Sequence, residues 1–239
     1  MNTQRASRPI PLALTALVAF FSALVALAAS NGMNMAQAHG NRPHAPMSMT
    51  ASVHRPALLS EKAVALRMDM RKLWEDHVTW TRLAIISLTT GSPDTQATVG
   101  RLLQNQTDIG GAIKPFYGRA AGAQLTALLR QHILIAADLV LAAKAGDQAK
   151  VAEAQARWEA NADRIAAFLH RANPRAWKLG EMKAMLHEHL RLTANEAVAR
   201  LQGDWAADVA AYDQIHVQAL GMADQLSAGI VRQFPRRFR

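Results

Sequence analysis

From residue 60 to residue 235, apolar side chains recur at steps of three and four, punctuated by glycine, asparagine and aspartate. That period marks helices with one buried face. Ser60-Glu61 opens the first helix and Gly91 closes it. Ser92-Pro93-Asp94 supplies a cap and a first-turn proline for the next. Gly118 and Gly122 bracket a junction, Asn173-Pro174 makes another, and Gly146-Asp147 and Gly203-Asp204 each stop one helix and cap its successor. The expected fold is all-α: six helices near 61–90, 93–114, 123–145, 148–171, 178–202 and 205–232, in an antiparallel up-down bundle.

The odd-numbered helices repeat one another. Leu73-Trp74-Glu75-Asp76-His77 aligns with Leu128-Leu129-Arg130-Gln131-His132 and with Met185-Leu186-His187-Glu188-His189. Gly91, Gly146 and Gly203 each follow their histidine by 14 residues, and small residues (Thr81, Ala136, Thr193) follow it by four. The chain therefore reads as three tandem helical hairpins. Fourteen residues of helix span about 21 Å, which sets the height of the three histidines above the glycine turns. Returning helices should reach that height near Asp108, near Asn161 or Asp163, and near His216. The histidines sit on apolar stripes, such as Met70, Leu73, His77, Trp80 and Ala84. Glu196 interrupts the third stripe a second time, two turns beyond His189.

Composition narrows the class. Half of the 239 residues are hydrophobic, aromatics make up 5%, and there is no cysteine. Helix is favoured, and disulfides and thiolate metal sites are excluded. The net charge of +9 lies largely at the ends, in Arg5, Arg8, Arg42 and Arg55 and in the tail Arg236, Arg237 and Arg239. No stacking aromatics interleave with a basic stripe, so nucleic acid is not an expected partner. The five tryptophans read as packing residues.

Residues 1–38 read as a Sec-type signal peptide. Arg5 and Arg8 precede the uncharged apolar run Leu12–Ala29, and Ala28-Ala29-Ser30 and Ala36-Gln37-Ala38 both offer cleavage sites. The expected location is periplasmic or secreted. An uncleaved run is long enough to anchor the chain in a membrane. Residues 39–59, with His39, His44, His54, Met47, Met49 and prolines, read as a flexible leader. The bundle follows over 60–235 and a basic tail over 236–239.

The polar level carries the candidate chemistry. Neutral imidazole is a common ligand of copper, zinc and iron. His77, His132, His189 and His216 are the candidate metal ligands, with Asp108 and Asp213 supporting them. Asp213 and His216 share a helix face, as in half of a di-iron carboxylate–histidine signature. No second such pair is present, so a dimetal oxidoreductase is the alternative rather than the first expectation. A further alternative is a structural or interaction module in which histidines and aspartates form a buried hydrogen-bond network. Ring closure decides between these. In an open solenoid the repeats sit roughly 10 Å apart and one ion cannot reach all three histidines. The metal ion or a small ligand is the expected partner; oligomeric state is not legible. Nucleophile elbows, phosphate loops and dinucleotide fingerprints are absent.

Several stretches carry a resemblance: Glu75-Asp76-His77-Val78-Thr79-Trp80-Thr81-Arg82, Trp158 with Asn161-Ala162-Asp163, Asn173-Pro174, Met185–Leu190, Tyr212-Asp213 with His216, and Gln233-Phe234-Pro235. Over about residues 65–238 the chain resembles a family of bacterial all-helical proteins without an established activity. Some members carry a glycosyltransferase label. The resemblance implies the helical fold. The residues do not support the label, since a sugar-nucleotide transferase needs an α/β nucleotide-binding domain.

Overall fold

The structure is a computed structural model that describes residues 60–239. The expected signal peptide and leader, over 1–59, lie outside the described residues. Five α-helices and one 3-10 turn make up the rest: α1 Glu61–Thr90, α2 Thr95–Ala145, α3 Gln148–Ala172, α4 Leu179–Gln202, α5 Trp205–Gln233, and Pro235–Phe238. There is no strand among the described residues.

Helix ends form where the capping residues stand. Ser60 Oγ accepts from the Ala63 N–H, Asp147 from Lys150 and Asp204 from Ala207, each satisfying a first-turn donor. Asp94 instead accepts from the Ser87 hydroxyl at 2.8 Å, across the turn. Gly91, Gly146 and Gly203 each close a helix in the left-handed conformation at φ 72°. The three glycines picked out by the repeat therefore share one backbone geometry.

The expected second and third helices are one 51-residue element, α2, broken only at Gly118. The hydrogen-bonded helix runs through Pro115 up to that break, so no loop separates the two halves. Gly118 has φ 85° and ψ 169°, a region essentially reserved for glycine. There the chain doubles back. A Cβ on Gly110 would lie 2.6 Å from the Gly122 carbonyl and 2.0 Å from Thr126 Oγ1; in a straight helix residues 12 apart are about 18 Å apart. By length and composition α2 is apolar enough to cross a membrane, yet this fold-back divides it into two shorter halves.

Each helix packs on its neighbour in sequence, and α1 also packs on α5. First and last helices thus meet, and the bundle closes on itself. Its core includes Met70, Val78, Leu102, Ile133, Trp158, Ile165, Met182, Ile215 and Ile230, all at most 5% exposed. Residues 236–239 fold back against the bundle: Phe238 is buried and stacks on Phe116 at 5.8 Å.

The fold-back predicts a sharp glycine requirement. Gly110→Ala should destabilise by about 1–3 kcal/mol, because the methyl meets backbone that has no room to retreat. Ala at Gly111, where a Cβ meets nothing within 4 Å, should be neutral or stabilising. Urea midpoints of the two variants check this.

Candidate functional site

Three of the six expected site residues come together. His77, His132 and His189 are buried at 8%, 5% and 5% exposure. The His189 ring centroid lies 5.7 Å from that of His77 and 6.4 Å from that of His132. The register argument holds for this trio: equal distances from equivalent glycines place them at one level.

Each imidazole is met by an amide 29 residues further on. His132 Nδ1 lies 2.9 Å from Asn161 Oδ1, His189 Nδ1 lies 3.1 Å from Gln218 Oε1, and His77 Nδ1 lies 3.2 Å from Gln106 Nε2. The amide also grips the backbone of the histidine's own helix. Asn161 Nδ2 donates to the Leu128 carbonyl at 3.2 Å and Gln218 Nε2 to that of Met185 at 3.0 Å. In the first copy two neighbours divide the work: Asn105 donates to the Leu73 carbonyl at 3.0 Å, while Gln106 faces His77. In all three copies the gripped carbonyl lies four residues before the histidine.

These bonds fix the tautomers of two rings. Asn161 and Gln218 donate to carbonyls, so their oxygens accept, and His132 and His189 carry hydrogen on Nδ1. His132 Nε2 then accepts from the Trp158 indole N–H at 3.2 Å, which leaves both of its nitrogens engaged. Gln106 Nε2 has two hydrogens and three neighbours, the Leu102 carbonyl at 2.8 Å, Asn105 Oδ1 at 3.0 Å and His77 Nδ1 at 3.2 Å, and its Oε1 accepts from no group among the described residues. Nε2 of His77 and of His189 makes no hydrogen bond among the described residues.

Burial holds the imidazoles neutral. It pushes His77 down to about 3, helped by the proximity of His189 and then His132, and it pushes His132 down to about 3, helped by His189. Burial lowers His189 as well. Neutral imidazole is the form a metal ion takes. Among the described residues, however, no three histidine or carboxylate groups stand in the arrangement that holds a metal ion.

The other three expected residues lie elsewhere. His216 Nε2 pairs with Glu75 Oε2 at 2.5 Å, partly exposed. Asp108 is exposed and accepts from Gln104. Asp213 is exposed on α5, in a shallow depression with Glu188 and Val217. Both aspartates sit on outward faces of their helices, so matching height along the bundle does not bring them to the axis. Of Asn161 and Asp163, the asparagine is buried at the histidine level; Asp163 pairs outside with Lys183 and His187. Asn105, Gln106 and Gln218 were missed. Their signal is the common 29-residue offset, visible only when amides are searched as well as ionisable groups.

A second polar cluster was legible only through Glu196. Arg82 donates to Glu196 Oε1 at 2.8 Å and to Asp208 at 2.9 and 3.2 Å, and Arg200 donates to Asp208 at 3.2 Å. Both carboxylates are 1% exposed. Tyr212 lies under the Arg82 guanidinium and Trp205 under that of Arg200. Burial pushes Glu196 up to about 7 despite Arg82. The cluster joins α1, α4 and α5 where first and last helices meet.

Two outcomes follow. Asn161→Leu and Gln218→Leu each strand a partly buried carbonyl and a buried ring N–H, and should each cost about 1–4 kcal/mol; Gln104→Leu, on the surface, should change stability by less than about 0.5 kcal/mol. Thermal unfolding of the three variants checks the contrast. Stability should also fall with acid. The unfolded histidines take up protons near pH 6.5 while His77 and His132 refuse them until about 3. Their contribution is therefore complete above 6.5 and is lost as pH falls towards 3, at about 1.4 kcal/mol per unit for each ring. Glu196 acts oppositely between 4.5 and 7, since its folded form binds the proton first, and offsets one ring. Urea unfolding at pH 7 and 5 should show a net loss; unchanged stability would mean that the rings protonate in the fold.

No protein-family model matches this chain, and no match was found among the curated proteins or among the solved structures.

Proposed function

We propose that this protein is a structural or interaction module: three helical hairpins closed into an antiparallel ring, whose register is fixed by a buried histidine–amide network. The observation that carries this reading is the threefold pairing of each histidine with an amide 29 residues on, coupled to the carbonyl four residues before it. A slide of one helix by one residue moves side chains by 1.5 Å along the axis and about 100° around it. Such a slip would break both bonds of a pair inside the core. The break at Gly118 and the packing of α1 on α5 support reading the five helices as six segments in three hairpins. Export to the periplasm or beyond rests on the sequence of residues 1–38.

A specific observation favours a second reading, a copper, zinc or iron ion held by Nε2 of His77, His132 and His189. The rings are neutral and close, and their Nδ1 atoms are tied by amides, as outer-shell partners tie metal-ligating histidines. This reading requires His132 Nε2 to exchange its bond to Trp158 for the ion. A dimetal oxidoreductase draws less support, because Asp108 and Asp213 are exposed and Glu196 is spent on Arg82.

Metal content, measured by mass spectrometry on protein purified without a nickel column, separates the readings. The module reading expects substoichiometric metal and a melting temperature indifferent to chelator or to added copper, zinc and iron. Near-stoichiometric metal, lost in the His77/His132/His189 triple alanine variant and stabilising by mass action, would replace it with the second reading.

A further inference from the structure

The described charge is polarised along the bundle. One end gathers the start of α1, the Gly118 fold-back, the Asn173 corner and the chain's last residues. Hydrogen bonds tie these pieces together: Lys62 to the Arg239 carbonyl, Arg237 to that of Pro115, Tyr117 to Gln233, and Gln233 to the Ala172 carbonyl. Lys114 and Arg119 flank the fold-back, Arg171 and Arg175 flank the corner, and Arg232 and Arg236 end α5. All six are exposed, and none has a carboxylate within 4 Å among the described residues. Of the acids at this end, Asp224 is taken by Arg67 and Arg71, and Glu61 and Glu181 open α1 and α4, fewer than the basic residues around them. At the opposite end, where Lys144 reaches the Leu88 carbonyl, Asp94 and Asp147 occupy the helix N-caps.

We propose that this basic end docks on an anionic phospholipid surface. Cations without partners on one end favour a planar anionic target, each basic residue near such a surface adding attraction. A pocket of about 490 Å³ opens between Arg175 and Arg232, with Asn173 and Gln233 in its wall; two guanidiniums across one pocket suit a phosphate head group. Apolar side chains are exposed towards this end: Val64 and Leu179, 40% and 38% exposed, lie in the first turns of α1 and α4, and Met68, 66% exposed, lies about one turn further along α1. Such a mixture suits the interface between head groups and acyl chains. Nucleic acid is the less favoured polyanion, because the aromatics here, Phe116, Phe234 and Phe238, pack on one another and offer no open stacking platform. The chain also enters the bundle at this end, through Ser60, downstream of the apolar run Leu12–Ala29. The docking does not depend on the role of the histidines.

The absence of cysteine permits a direct test with the full chain. A polarity-sensitive fluorophore is placed at Ala120→Cys beside the fold-back, or at Ala149→Cys at the other end. Vesicles of phosphatidylcholine with about 30% phosphatidylglycerol should shift the Ala120 label, and about 0.5 M salt should reverse the shift by screening. The Ala149 label should stay silent, and so should the Ala120 label with pure phosphatidylcholine. Replacing Arg171, Arg175 and Arg236 with glutamine should weaken the response roughly a hundredfold, at about fivefold per residue. Equal responses to neutral and anionic vesicles, a response at Ala149 alone, or tighter binding of a duplex oligonucleotide than of vesicles at matched salt would each overturn the proposal. The label reads docking at the bundle end, so insertion of the upstream apolar run alone leaves the Ala120 signal insensitive to lipid charge.

Discussion

Three neutral imidazoles share one core, each with its Nδ1 held by an amide from the returning helix, and the bundle is arranged around that pairing. A buried polar group left unpaired costs about 1–3 kcal/mol, a large part of a domain's marginal stability. The return helix answers with a primary amide, which accepts from one group and donates to another. In the second and third copies a single Asn161 or Gln218 thereby satisfies a ring N–H and bonds a helix carbonyl. In the first copy Asn105 bonds the helix carbonyl and Gln106 Nε2 faces His77 Nδ1, while the Gln106 oxygen accepts from no group among the described residues. Proximity of the rings strengthens the constraint, since protonating one would place a charge about 6 Å from another in a desolvated site.

Around that level the remaining structure limits how the helices can slide. Three left-handed glycines end helices at equal distances from the histidines. Gly110 and Gly122 allow the two halves of α2 to approach backbone to backbone. Where α1 meets α4 and α5, apolar packing gives way to Arg82, Glu196, Asp208 and Arg200. Buried ion groups of this kind contribute little net stability but are costly to disrupt singly, so they select one pairing of helices over near alternatives. The module reading and the end-on docking surface are compatible: a core with a fixed register holds the basic end of the bundle in fixed relation to the rest.

Much of this was legible in the sequence because helices and their stops are written in local residues. Periodicity gave the helical class, and the spacing from His77 to Gly91, His132 to Gly146 and His189 to Gly203 gave the common level. Proline and glycine crowd residues 115–122, where the pattern predicts a junction between two helices, whereas helical hydrogen bonding persists through Pro115 to the single break at Gly118. Height alone points Asp108 to the axis, and a shared helix face with His216 points Asp213 there. Height is one coordinate and rotation about the helix is the other; two exposed aspartates differ from the buried Asn161 mainly in the second. The amides escaped notice because they do not titrate, although a neutral core is where an amide is cheaper to bury than a carboxylate.

The protonation state of the buried rings tests the central claim most directly. Long-range nitrogen–proton correlation spectra of ¹⁵N-histidine-labelled protein distinguish the two neutral tautomers and the imidazolium. His132 and His189 should appear as neutral Nδ1–H rings at pH 7, and His132, pushed down to about 3 by burial, should remain so at pH 5. Hydrogen on Nε2 of His132 or His189, or an imidazolium signal from His132 at pH 5 in the folded chain, would contradict the histidine–amide pairing.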